Sequence, residues 1–125
     1  MTTPAYDTVN WFQIGTDDSD TAKNFYGGMF GWKFTLDPAD GGSYELITYP
    51  GSEAPVGGIS PTDDADKNHA TFLVLVRDTE VACKLAQELG GEVIFPPTTA
   101  PSGLTFAHIK DPSGNRFGIY TPPPA

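Results

Sequence analysis

At 125 residues, with 38% hydrophobic and 18% charged content, the chain is long enough to bury one core and is expected to form a single domain, 1–125. A formal charge of −9 argues against nucleic acid and anionic membrane surfaces as partners. No apolar run approaches the roughly 18 residues of a membrane span, and a lone cysteine, Cys83, excludes an internal disulfide.

The start, MTTPAYDTVN, lacks the basic-then-apolar profile of a secretory leader, so a reducing cytoplasmic location is expected. The charge is uneven. Residues 1–66 hold eleven acids against Lys23 and Lys33, whereas the rest hold five acids and five bases. The acidic half reads as a solubilising surface, or as an attraction for a cationic guest.

Met1 to Thr8 is a lead-in. Val9 to Thr16 alternates as a half-buried strand, with Asn10, Phe12 and Ile14 on one face and Trp11 and Gln13 on the other. Asp18 or Ser19 caps a helix in which Ala22, Phe25 and Met29 recur at helical spacing. Gly27 and Gly28 each cost that helix about 1 kcal/mol relative to Ala, which predicts close packing or an early end. Trp32–Leu36, Ser43–Tyr49 and Pro55–Ser60 read as strands, separated by DPADGG and PGSEA turns; Pro61–Asn68 is a polar linker.

His69–Val76 is again a strand, with Phe72, Val74 and Val76 on one face and His69, Thr71, Leu73 and Leu75 on the other. Asp78 caps a helix whose Ala82, Leu85, Ala86 and Leu89 form an apolar stripe, ended by Gly90-Gly91. Glu92–Phe95 is a strand and Pro96–Gly103 a loop. Leu104–Tyr120 is a hairpin turning at Asp111-Pro112-Ser113-Gly114-Asn115, residues that each favour a tight reversal, and TPPPA is a tail.

The two halves superpose at a constant shift of sixty residues. Phe12 matches Phe72, Asp18 Asp78, Ala22 Ala82, Gly31 Gly91, Gly58 Gly118 and Ile59 Ile119. The order strand, helix, strand, strand, strand recurs in register, giving βαβββ repeats over 9–60 and 69–120 and an α+β fold class.

Three segments carry a family resemblance: FQIGTDDSDTAKNFYGGMFGWKF, VLVRDTEVACKLAQELGGEVIFPP and TFAHIKDPSGNRFGIY. Together they make the chain, over about 9–121, resemble the vicinal-oxygen-chelate superfamily of glyoxalase I, bleomycin-resistance proteins and extradiol dioxygenases. The resemblance implies a curved eight-stranded mixed sheet with helices on the convex side and ligands in a concave trough. Alternation then assigns Phe12, Ile14, Phe72, Val74, Val76, Phe117 and Ile119 to the helices, and Trp11, Gln13, His69, Thr71, Leu73, Gly118 and Tyr120 to the trough.

Metal-dependent members of that superfamily hold a divalent ion with His, Gln or Glu from the first strand and Glu from the last strand of each unit. Such an ion polarises adjacent substrate oxygens. The corresponding positions here are Trp11, Gly58, Thr71 and Gly118, so the usual site is absent and no metal or other cofactor is expected. A relocated set could use His69, His108, Glu45 and Gln13. Cys83 reads as an unreactive thiol, and Ser60 and Ser113 lack a nucleophile's context.

The expected function is therefore metal-independent binding of a small organic molecule, as in sequestration of an antibiotic or toxic compound. The ligand-binding residues would be Trp11, Gln13, Gly57, Gly58, His69, Thr71, Phe106, His108, Gly118 and Tyr120, with Trp32 as a further aromatic wall or a core residue. Gly57-Gly58 reads as a bare floor for the ligand or as a bulge at a sheet edge. The alternative is a lyase, isomerase or dioxygenase-type enzyme in which His69 and His108 act as acid/base or as relocated metal ligands. Expected partners are the organic ligand, cationic if the acidic half faces it, and a second copy of the chain in a homodimer.

Overall fold

The computed structural model describes residues 5–37 and 43–123; the first half of the lead-in, most of the DPADGG turn and the end of the tail lie outside them. The element order is β1 (Thr8–Thr16), α1 (Ser19–Phe30), β2 (Lys33–Leu36), β3 (Glu45–Thr48), β4 (Gly57–Pro61), β5 (His69–Leu75), α2 (Thr79–Glu88), β6 (Glu92–Thr99), β7 (Thr105–Lys110) and β8 (Arg116–Thr121). This is βαβββ twice. The linker between the repeats contains one short 3-10 turn, Ala65–Lys67. The eight strands follow the hydrogen-bonded order β2-β3-β4-β1-β5-β8-β7-β6 in one mixed sheet. β1 runs parallel to β4 and β5 parallel to β8, while the hairpin pairs are antiparallel. Two compact units divide the chain: Trp11–Ala70, and Met1–Asn10 with Thr71–Ala125.

In the unit of residues 11–70, Ile14, Ile47 and Ile59 form a buried cluster, joined by Phe12, Ala22, Tyr26, Trp32 and Phe34. Asp18 caps α1 by accepting from the Thr21 N–H, and Gly31 closes it at φ 72°, a left-handed turn that glycine adopts without strain. The helix does not end early at its glycines. Gly27 sits within contact of the Phe34 ring, whereas Gly28 faces open space. Of the expected stripe only Ala22 faces inward; Tyr26 takes the next inward position, and Phe25 and Met29 stay 58% and 60% exposed. Trp32 is a core residue, stacked on Tyr26 at 5.5 Å and tilted against Phe12 at 5.4 Å.

In the other unit the core is Val76, Cys83, Ala107, Ile109 and Ile119, with Val74, Ala82, Ala86, Val93 and Phe117 around it. Asp78 caps α2 through the Glu80 and Val81 N–H groups. At its end the Gly90 N–H reaches the Gln87 carbonyl and the Gly91 N–H the Ala86 carbonyl, a Schellman closure. The inward stripe is Thr79, Ala82, Cys83 and Ala86, small side chains that let the helix lie close to the sheet. Leu85 and Leu89, expected in the core, are 52% and 69% exposed. Phe72 stacks on Phe117 at the margin of this layer and stays partly exposed.

The first half of the loop expected at Pro96–Gly103 is instead strand. β6 continues to Thr99, with register shifts between Val93 and Phe95 and between Phe95 and Thr98. Pro96 and Pro97 are tolerated because β6 is the edge strand and the irregularity lies at their position, so no ladder bond needs their missing N–H.

Candidate functional site

The side chains turned away from the helices form a separate cluster on each unit. On residues 11–70 the strand alternation that sends Phe12 and Ile14 to the core sends Trp11 and Gln13 to the other face. The Trp11 Nε1–H donates to the Tyr44 hydroxyl at 2.9 Å, and the Tyr44 O–H donates to Gln13 Oε1 at 3.3 Å. Gln13 Nε2 lies 3.0 Å from His69 Nε2, and His69 Nδ1 lies 2.9 Å from the Lys67 carbonyl. A carbonyl only accepts, so Nδ1 carries the ring proton and Nε2 accepts from the Gln13 amide. The result is one continuous relay, Trp11 to Tyr44 to Gln13 to His69 to Lys67. Gln13 is only 8% exposed, and the bonds on both sides of its amide satisfy that burial.

The glycines of this face are covered, not bare. A Cβ on Gly58 would stand 2.2 Å from the Tyr44 ring, and one on Gly15 would stand 2.2 Å from the His69 ring. Each glycine exists so that an aromatic side chain of the same unit can lie on the backbone. Gly57 faces the opposite way: its Cβ direction meets the Phe12 carbonyl oxygen at 2.6 Å and the Phe12 ring at 2.7 Å, on the core side. Glu45 is on that side too, opposite Ile59 in the β3–β4 register, with Lys23 Nζ 3.2 Å from its Oε1. That contact raises the Lys23 pKa, chiefly through the hydrogen bond that its ammonium donates to Glu45. It also removes Glu45 from any set with Gln13 and His69, which lie across the sheet.

On the second unit, β7 and β8 place His108 opposite Gly118 and Phe106 opposite Tyr120. His108 is 5% exposed and stands edge-on to Phe95 and Phe106, whose rings stack at 5.6 Å. Gly118 is covered by Leu73, 2.7 Å from where its Cβ would be. Asn10 Nδ2–H donates to the Tyr120 hydroxyl at 3.1 Å, and burial pushes the Tyr120 pKa up. The Thr71 hydroxyl donates to the Arg116 carbonyl at 2.8 Å, pinning the start of β8.

The ten residues expected to bind ligand thus fall into two sets and one outlier. Trp11, Gln13, Gly58 and His69 assemble around Tyr44; Thr71, Phe106, His108, Gly118 and Tyr120 share the other unit's face; Gly57 joins the core. Sequence reasoning did not single out Tyr44, Phe95, Asn10 or Arg116. For Arg116 the signal was present, since it precedes Gly118 and Tyr120 by two and four residues on one strand face.

At the four positions where a divalent ion would be held, the donors do not suit one. Trp11 and Thr71 use their polar atoms within their own units, and Gly58 and Gly118 offer no side chain and are roofed by Tyr44 and Leu73. Among the described residues no three His, Cys, Asp or Glu side chains gather to hold a metal. Cys83 is buried against the sheet and burial raises its pKa, which suits a packing thiol. No helix among the described residues is long and apolar enough to cross a membrane.

Comparison with known proteins places this geometry. The chain is 34% identical over 90% of its length to the anthracycline biosynthesis protein DauV of Streptomyces sp. (strain C5), covering 40% of that protein. It is 27% identical over 90% of its length to the putative glyoxylase CFP32 of Mycobacterium bovis, covering 45% of it. It is 28% identical to a glyoxylase-like domain-containing protein of Didymella fabae, covering 92% of this chain and 94% of that one. The chain therefore spans less than half the length of the first two. Methylmalonyl-CoA epimerase from Mycobacterium tuberculosis shares the fold at a TM-score of 0.59 and 17% identity, over 98% of this chain and 94% of the other. The Streptomyces coelicolor epimerase does so at 0.61 and 14%, over 94% and 96%. A family model matches residues 8–119, and the chain belongs to the Glyoxalase/Bleomycin resistance protein/Dioxygenase superfamily.

Proposed function

We propose that this chain binds a small organic molecule against the sheet faces turned away from its helices, without the metal site of the superfamily's enzymes. The observation that carries the reading is the way the ligand positions are filled. Glycines stand where carboxylates would be needed, and the chain's own Tyr44 and Leu73 cover them. What remains is aromatic surface (Trp11, Tyr44, Phe95, Phe106, Tyr120) with sparse polar anchors (Gln13, His69, Thr71, His108), the composition of a small-molecule site. The role that follows is sequestration of an antibiotic or toxic compound in the cytoplasm. Similarity to a protein named for anthracycline biosynthesis supports a bulky natural product as guest.

An acid/base enzyme using His69 or His108 is the competing reading. Against it, both His69 ring nitrogens are engaged, one by Gln13 and one by Lys67. The homodimer belongs to the same proposal: α1 exposes Phe25, Met29 and Phe30, and α2 exposes Val81, Leu85 and Leu89.

The test is a thermal-shift screen of polycyclic natural products against protein purified without chelators, with each hit recovered and analysed by chromatography. A guest that raises the melting temperature and returns unchanged supports binding. Conversion of the guest, or a requirement for added metal, overturns it.

A further inference from the structure

Among the described acids of the first half, Asp37 lies beside Tyr44, its N–H donating to the Tyr44 carbonyl at 3.0 Å, and most of the others lie elsewhere. Asp17, Asp18, Asp20, Asp63, Asp64 and Asp66 lie at the start of α1 or in the linker, and Glu45 faces the core. The guest's charge is read from the groups that share a face, and the charged side chains of the β7–β8 hairpin on this face, Lys110 and Arg116, are basic.

Arg116 lies on the same face of β8 as Gly118 and Tyr120, because Phe117 and Ile119 take the core side. Its Nε is buried without a hydrogen-bond partner, and its guanidinium has no ion pair among the described residues. A buried guanidinium N–H without an acceptor is costly, and the acceptor it suits is a carboxylate held in its planar fork. Lys110 is the direct cross-strand neighbour of Arg116, so two positive charges sit side by side, an arrangement unfavourable unless an anion joins them. Glu92, opposite Lys110 on the exposed edge strand, is the acid in that row, and its place is on the far side of Lys110. Tyr120 accepts from Asn10 and keeps its own proton to donate. Phe106 is opposite Tyr120, four residues along β7 from Lys110 on the same face, and its ring stacks on Phe95.

We infer that this face is an anion subsite, in which Arg116, with Lys110 beside it across the hairpin, receives the carboxylate of an aromatic organic acid whose ring body extends along the face toward Phe95 and Phe106. This rests on the binding reading above and reverses the charge that the overall composition suggests for the guest.

The test is an NMR titration of the full chain with 2-naphthoate, 2-naphthamide and acetate, following the backbone amide resonances of β7 and β8 in the wild type, R116Q and R116K, and in the wild type also the Arg116 Nε–H resonance. Naphthoate is expected to move that resonance and to bind R116Q about tenfold more weakly or worse, with R116K between them. Naphthamide should bind weakly and equally to all three proteins, and acetate should not bind measurably. Retained melting temperatures show that the variants fold. Equal binding of naphthoate and naphthamide, or of naphthoate to wild type and R116Q, would overturn the anion subsite while leaving small-molecule binding intact. Acetate binding as tightly as naphthoate would overturn the aromatic part, and no binding by either naphthyl compound would overturn both readings.

Discussion

Gly57 and Gly58 are adjacent, yet they do opposite jobs, and their substitutions separate them. A methyl on Gly57 meets the Phe12 backbone oxygen, which cannot swing aside; one on Gly58 meets the outer end of the Tyr44 ring, which can. Gly57→Ala is expected to destabilise by about 1–3 kcal/mol in denaturant unfolding, and Gly58→Ala by less, with loss of the Trp11–Tyr44 bond. Gln13 is the residue on which the relay turns. Gln13→Leu removes the Gln13 hydrogen bonds to the Tyr44 hydroxyl and His69 Nε2, at a cost of about 1–3 kcal/mol. The Trp11 indole N–H resonance should shift with it; an unmoved resonance would mean that the relay does not couple these residues. Alternation along β1 already showed Trp11 and Gln13 sharing a face. It could not show Tyr44, because that contact depends on how β3 sets a ring over a glycine of the neighbouring strand.

At the scale of elements, the hairpin turn from Asp111 to Asn115 was legible because each residue's local preference agrees with the observed turn. The Asp111 carboxylate accepts from the Ser113 and Asn115 N–H groups and from the Asn115 amide, and Gly114 takes φ 89°. These bonds, the Asn115 backbone bond foremost, hold the Asp111 pKa below its ordinary 3.8. The folded value is the lower one, so the contribution to stability is present above pH 3.8 and disappears as pH falls through the folded value. Asp111→Asn should therefore show a shallower loss of stability than wild type in melts taken below that pH; identical slopes would remove the carboxylate from the account. The helices were less legible. Periodicity found their extent, but Leu85, Leu89, Phe25 and Met29 face outward where Ala86, Cys83 and Tyr26 face inward. Hydrophobicity alone does not tell a helix's sheet side from a second apolar side. β6 was cut short for a related reason: prolines end most strands, but an irregular edge strand accommodates them.

For the molecule as a whole, the sixty-residue repeat made the βαβββ order legible, because insertions or deletions would have broken its register, while the family resemblance was carried by the three motif segments. The outward apolar side chains of α1 and α2 (Phe25, Met29 and Phe30; Val81, Leu85 and Leu89) are surface that a second copy of the chain could cover. Light scattering after gel filtration is expected to give twice the 13.4 kDa chain mass, and Leu85→Lys with Leu89→Lys should halve it. A monomer in the wild type would end that part of the proposal. The central claim is retention of an intact organic guest without a coordinated ion. Native mass spectrometry of the protein taken from cells without chelators tests it most directly. The account predicts the chain mass plus an organic molecule released unchanged on denaturation. One tightly held iron, zinc or nickel per chain would contradict it.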